Sequence, residues 1–143
     1  MHMLEHRREV GNVYPSLYYD DARAALAWLE RAFGMRCRLL VPRADGGVLH
    51  AELEFEAGGV VMVASARAES GLVGPRRTSG TSSSTCVRVC DPDAHFARAR
   101  AAGARITREL CDEEYGSRGY GAEDPEGHTW YFGTYRPGAH WTP

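Results

Sequence analysis

Apolar residues at 22, 25, 26, 29, 32 and 33 (Ala22, Ala25, Leu26, Leu29, Ala32 and Phe33) recur at helical spacing, so they form one stripe of a helix over 22–33. Asp20-Asp21 precedes the stripe as a capping pair and Gly34 follows it as a stop. Around this segment the pattern changes to alternation, which predicts strands over 12–19, 35–41, 48–55 and 60–65, with turns at 44–47 and at Gly58-Gly59. The first half therefore reads β-α-β-β-β. Between 66 and 83 the chain is rich in Gly, Ser, Thr, Pro and Arg and has no hydrophobic period, which predicts a linker or mobile flap.

The order then restarts. A strand is predicted over 84–90, and Asp91-Pro92-Asp93 opens a helix over 94–102 that Gly103 stops. A strand over 105–110 follows, and then a hairpin with arms 118–123 and 128–135 about Asp124-Pro125-Glu126-Gly127. In that turn Pro fixes φ at the second position and Gly tolerates positive φ at the fourth. Tyr18-Tyr19-Asp20-Asp21 before the first helix matches Arg88-Val89-Cys90-Asp91 before the second, and Phe33-Gly34 matches Ala102-Gly103. Internal duplication is the simplest account. The expected fold class is α+β, with two βαβββ modules forming a curved, cleft-bearing mixed sheet and helices on its outer face. The expected organisation is a single domain over 1–143, with module 1 over about 12–65, a linker over 66–83 and module 2 over about 84–135.

Each module covers one sheet face with its own helix and leaves the other open, and two open faces combine into a cleft. Alternation assigns Val13, Leu17, Leu53, Phe55, Val61, Val63, Val87 and Val89 to the covered faces. It is then expected to leave Tyr14, Ser16, Tyr18, His50, Glu52, Met62, Ser84, Cys86, Arg88, Trp130 and Phe132 on the open ones, with Arg118 and Tyr120 at the rim. Such an aromatic surface with few polar anchors suits a flat or amphipathic small molecule. Each ring has an equal claim as a filler of the concavity.

Composition changes this picture little. A chain of 143 residues with 43% hydrophobic and 25% charged residues is ordinary for one globular domain. A net charge of -2 gives no reason to expect nucleic acid or an acidic membrane as partner. No apolar run approaches the ~20 residues that span a bilayer, and no signal-peptide pattern is present, so the expected location is the cytoplasm. All 17 basic residues are Arg, which discounts any single arginine as a functional signal. Cys37, Cys86, Cys90 and Cys111 match neither a zinc ribbon nor a redox pair and read as free thiols.

The duplicated plan, the opening Val13-Tyr-Pro-Ser-Leu-Tyr-Tyr-Asp-Asp, the helix end Leu29-Glu-Arg-Ala-Phe-Gly34 and Asp124-Pro-Glu-Gly-His-Thr-Trp130 resemble the vicinal oxygen chelate superfamily. That group includes glyoxalase I, fosfomycin-resistance enzymes, extradiol dioxygenases and bleomycin-resistance proteins. In its metal-dependent members, His, Glu or Gln ligands come from the first and last strands of each half. Carried over, those positions fall near Tyr14, Met62 and Ser84 and at Phe132, none a good ligand for a divalent metal. A rearranged His50-Glu52-His128 site is the weaker alternative, and His95 reads as a surface residue.

No Gly-x-Ser-x-Gly elbow or phosphate-cradling loop is present. The resemblance thus implies the metal-free branch. The expectation is a homodimer that needs no cofactor and sequesters an aromatic natural product or antibiotic. The competing expectation is a lyase- or isomerase-type enzyme that uses a displaced metal site, or Glu52 or His50 as general base. A partner-binding regulatory module is a third.

Overall fold

The computed structural model describes residues 11–143. Strand β1 (Ser16–Tyr19), helix α1 (Ala22–Phe33) and strands β2 (Arg36–Pro42), β3 (Val48–Glu54) and β4 (Val60–Ser65) form the first module. Strand β5 (Ser84–Arg88), helix α2 (Pro92–Ala101) and strands β6 (Arg105–Asp112), β7 (Arg118–Glu123) and β8 (Thr129–Gly133) form the second. Each module is a four-stranded mixed sheet, ordered β1-β4-β3-β2 and β5-β8-β7-β6, and the two sheets are not joined into one. The expected α+β plan of two βαβββ units is what folds. In each unit the first and last strands lie parallel at one edge, and the remaining pairs are antiparallel hairpins.

Local chemistry sets the helix ends. Asp21 accepts a hydrogen bond from the Ala24 amide at 3.1 Å, and Asp91 does the same for Ala94 at 3.1 Å, each satisfying an otherwise orphaned donor of a first turn. Pro92 follows Asp91 at the first helical position, where its missing N–H costs nothing. Gly34 ends α1 with a φ of 73°, the left-handed conformation glycine adopts without strain.

The apolar stripe of α1 is buried as its spacing requires, and the two helices pack on each other. Phe33 packs α1 onto β8 of the second module, with its ring centroid 4.5 Å from that of Phe132 and 5.4 Å from that of Trp130, and 4.9 Å from that of Trp28 on its own helix. Hydrogen bonds tie the helices across the module boundary. The Trp28 indole donates to the Ala102 carbonyl at 3.1 Å, and the Arg98 guanidinium donates to the Glu30 and Arg31 carbonyls at 3.0 and 2.8 Å. A guanidinium at the C-terminal end of α1 also complements the helix dipole. The helix-covered faces of both sheets thus share one core.

His95 belongs to this core and not to the surface expected of it. Its ring centroid lies 4.3 Å from that of Phe132. Its Nε2 sits 3.0 Å from the Phe33 carbonyl, which only accepts, so Nε2 carries the proton and Nδ1 accepts from the Tyr120 hydroxyl at 2.5 Å. Burial, the largest cause, lowers its pKa.

The 66–83 connection is not structureless. It forms two 3₁₀ turns, Ala68–Ser70 and Pro75–Arg77, and an antiparallel bridge between Arg67 and Leu72. Arg76 donates to the Pro125 carbonyl and Arg77 pairs with Asp20 at 3.3 Å, so the segment is laid along the Asp124–Gly127 turn and the end of β1.

Candidate functional site

The Asp124-Pro125-Glu126-Gly127-His128 stretch is a structural clamp between the modules. The Asp124 side chain is 4% exposed and accepts from the Tyr19 hydroxyl at 2.5 Å, the Trp130 indole at 3.2 Å and the amides of Glu126 and His128 at 3.0 and 3.1 Å. Glu126 accepts from the Asp20 and Asp21 amides at 2.6 and 3.0 Å, at the entrance to α1. His128 donates from Nε2 to the Tyr18 carbonyl at 2.7 Å, and its ring centroid is 4.5 Å from that of Tyr19. This imidazole is therefore committed to β1 and does not join His50 and Glu52. Among the described residues no three His, Cys, Asp or Glu side chains converge as a metal site would require.

Register corrects the assignment of faces in the second module. Parallel pairing of β5 with β8 sets Val87 opposite Phe132 and Thr85 opposite Trp130. Residues opposed in register share a face, so Trp130 and Phe132 lie with Val87 on the helix-covered side, at 2% and 0% exposure. Tyr120, opposite Phe132, is buried with them and does not form a rim. Arg118 donates to Asp93 of α2 through two bonds of 3.0 Å and to Asp112 at the end of β6 at 3.2 Å. Val13 is 85% exposed instead of covered, because it lies before β1.

The open face of module 2 instead carries Ser84, Cys86 and Arg88 on β5 and Thr129 and Tyr131 on β8. Tyr131 is the residue missed from sequence. No local signal marks it, because only the pairing of Val87 with Phe132 shows that β8 buries Phe132 under the helix and so turns Tyr131 outward. On module 1 the register sets Ser16 opposite Met62, Tyr18 opposite Ala64 on the same face, and Glu52 between Met62 and Leu39. His50 and Glu52 share the face, as expected, with Nε2 2.8 Å from the carboxylate and both side chains partly exposed. Leu39 is 43% exposed there and Tyr14 is 45% exposed just before β1, with its hydroxyl donating to the Gly11 carbonyl. A hydrogen bond from Ser16 and, more weakly, Arg67, whose guanidinium lies 6.0 Å from the Tyr18 ring centroid, hold the Tyr18 phenol below its usual pKa.

The cavity beside β1 has a volume of about 370 Å³ and is lined by Ser16 and Tyr18, by Gly74, Thr78 and Ser83 of the connection, and by His128. The connection thus walls one side of the module 1 face. A second cavity of about 310 Å³ lies at the clamp turn, between Arg76, Arg105 and Glu123.

The chain belongs to the Glyoxalase/Bleomycin resistance protein/Dioxygenase superfamily, whose family model matches residues 11–132. It is 33% identical over 121 residues to an uncharacterized protein of Mycobacterium bovis, covering 83% of this chain and 80% of that one. Among solved structures it is similar to TioX from Micromonospora sp. ML1, at 38% identity with a TM-score of 0.65, covering 85% of this chain and 98% of that one. The bleomycin-binding protein complexed with bleomycin shares the fold, with a TM-score of 0.61 at 17% identity over 88% of this chain and 99% of that one. The superfamily thus spans binding proteins and enzymes, and fold alone does not choose between them.

The residues at the positions of the superfamily's metal ligands do not fit a divalent metal. With Phe132 buried, the outward residue of the last strand is Tyr131, and the set becomes Tyr14, Met62, Ser84 and Tyr131. Two phenols, a thioether and a hydroxyl lack the imidazole, carboxylate or thiolate that zinc, iron or manganese takes.

Proposed function

We propose that this protein is a metal-independent small-molecule binding protein that works as a homodimer. One copy's module 1 face and the partner's module 2 face would enclose an aromatic or amphipathic ligand, such as a natural-product antibiotic held out of action in the cytoplasm. The observation that carries the reading is the pair of uncovered sheet faces, which bear rings, a thioether and scattered polar groups where metal ligands would stand. Exposed Leu39 and Tyr14 are apolar surface that a second copy would cover. Ligand candidates on the proposed faces are Tyr14, Tyr18, His50, Glu52, Met62, Ser84, Arg88 and Tyr131.

Light scattering on the purified chain, followed by bleomycin titration with and without chelator, tests this reading. A dimer that binds the drug equally well in chelator and returns it unchanged is the expected result. Ligand binding that requires a stoichiometric metal, or conversion of the ligand, would overturn it. The His50–Glu52 contact favours a second reading, an enzyme in which that pair moves a proton. For it, His50→Gln would abolish turnover of a substrate that the variant still binds.

A further inference from the structure

The second module's open face has a property that strands rarely tolerate. Three of its positions on β7 and β8 are glycine: Gly119, Gly121 and Gly133. Glycine in a strand interior costs stability and often marks a place where another group must approach closely. A Cβ on Gly119 would sit 2.5 Å from the Tyr131 hydroxyl oxygen, and one on Gly133 would sit 3.0 Å from Tyr131 Cε1. The phenol therefore lies along the sheet over these two glycines, whereas strand side chains ordinarily stand perpendicular to it. A ring laid along the sheet in this way is offered to whatever covers that face. At its far end the Tyr131 hydroxyl is 3.5 Å from the Tyr115 hydroxyl and 3.4 Å from Glu113.

Charge on the same region is distributed unevenly. Glu123 is paired with Arg105 at 3.0 Å, and Glu113 holds Arg108 through two bonds of 2.9 and 2.7 Å. Arg88 has no ion pair or side-chain hydrogen bond among the described residues, and it is exposed. It stands opposite Gly133, one diagonal step from Tyr131 on the same face. A flat ring beside an uncompensated guanidinium is complementary to a planar aromatic acid, which stacks through its ring and is gripped at its carboxylate.

We propose that the ligand is a planar aromatic carboxylate, stacked on Tyr131 and held by Arg88. This rests on the small-molecule reading above and narrows it to a chemical class. The test is isothermal titration of the intact protein with 2-naphthoate, neutral 2-naphthamide, saturated cyclohexanecarboxylate and cationic 1-naphthylmethylammonium. The expected result is that 2-naphthoate binds about tenfold or more tighter than each of the other three. Arg88→Met erases the preference for acid over amide. Tyr131→Leu weakens naphthoate about tenfold, and Tyr131→Phe leaves it within about twofold. Nuclear Overhauser contacts between naphthalene protons and the Tyr131 ring in the unsubstituted protein give the same answer without a variant.

Equal binding of naphthoate and cyclohexanecarboxylate, an Arg88→Met effect equal on acid and amide, or no contact to Tyr131 would each overturn the proposal. If the amide or the cation binds and naphthoate does not, the acid class falls and the binding-protein reading survives. If neither these probes nor bleomycin binds, both fall together.

Discussion

Removing one oxygen from the clamp between the modules should weaken the whole fold. Tyr19 is 0% exposed, and its hydroxyl donates to Asp124 at 2.5 Å. Tyr19→Phe keeps the ring against His128 and deletes only that bond. A hydrogen bond to a carboxylate contributes about 1.5–3 kcal/mol, whereas truncation to Asp124→Ala strands the buried Tyr19 hydroxyl and Trp130 indole and should cost about 3–6 kcal/mol. In urea unfolding the midpoint should drop by roughly 1 M for Tyr19→Phe with an unchanged slope, and the melting temperature by about 5–10 °C.

The alkaline limb supplies a second signature of the same bond. Burial first, then the negative charge of Asp124, raises the Tyr19 pKa well above its ordinary value of 10.0. The folded state therefore keeps the proton where the unfolded chain releases it. This contribution is fully present below about pH 10 and is lost as pH rises from there through the folded value, so the gap between wild type and Tyr19→Phe should narrow above pH 10. A Tyr19→Phe protein within about 0.5 kcal/mol of wild type at pH 7 would refute the clamp.

Other consequences follow from the same core and faces. His95 is held neutral, with its pKa lowered below the ordinary 6.5, so its contribution is present above that value and lost as pH falls through the folded pKa. Urea midpoints measured downward from pH 7 should fall more steeply in wild type than in His95→Gln. Arg98→Ala removes two bonds to the end of α1 and should cost about 1–2 kcal/mol by the same unfolding assay. Gly119→Ala places a Cβ 2.6 Å from the Phe132 carbonyl oxygen and should destabilise by about 1–3 kcal/mol in thermal melts.

Much of this architecture was legible in the sequence because its signals are local. The α1 stripe from Ala22 to Phe33, the capping Asp21 and Asp91 and the stops at Gly34 and Gly103 each act within a turn or two. Which face of β8 is covered is not local. Trp130 and Phe132 look like ligand-stacking rings when read alone, and only their pairing with Thr85 and Val87 sends them under the helices. His95 and His128 were obscure for a related reason. Their partners, Phe33 and Tyr18, lie 62 and 110 residues away, and short-range periodicity carries no trace of such contacts. The His50–Glu52 pair sits two residues apart on one strand and was visible from parity alone.

In the proposed dimer the binding site is built from two copies, with module 1 of one facing module 2 of the other. The decisive experiment mixes two variants, Tyr18→Ala with Met62→Ala in module 1 and Tyr131→Leu with Arg88→Met in module 2. Each parent should bind 2-naphthoate weakly. Subunit exchange should yield a mixed dimer in which one site carries all four substitutions and the other carries none, restoring one tight site per mixed dimer. Mixed dimers that stay as weak as their parents would rule out a shared site, because they would place both faces of each site on a single chain.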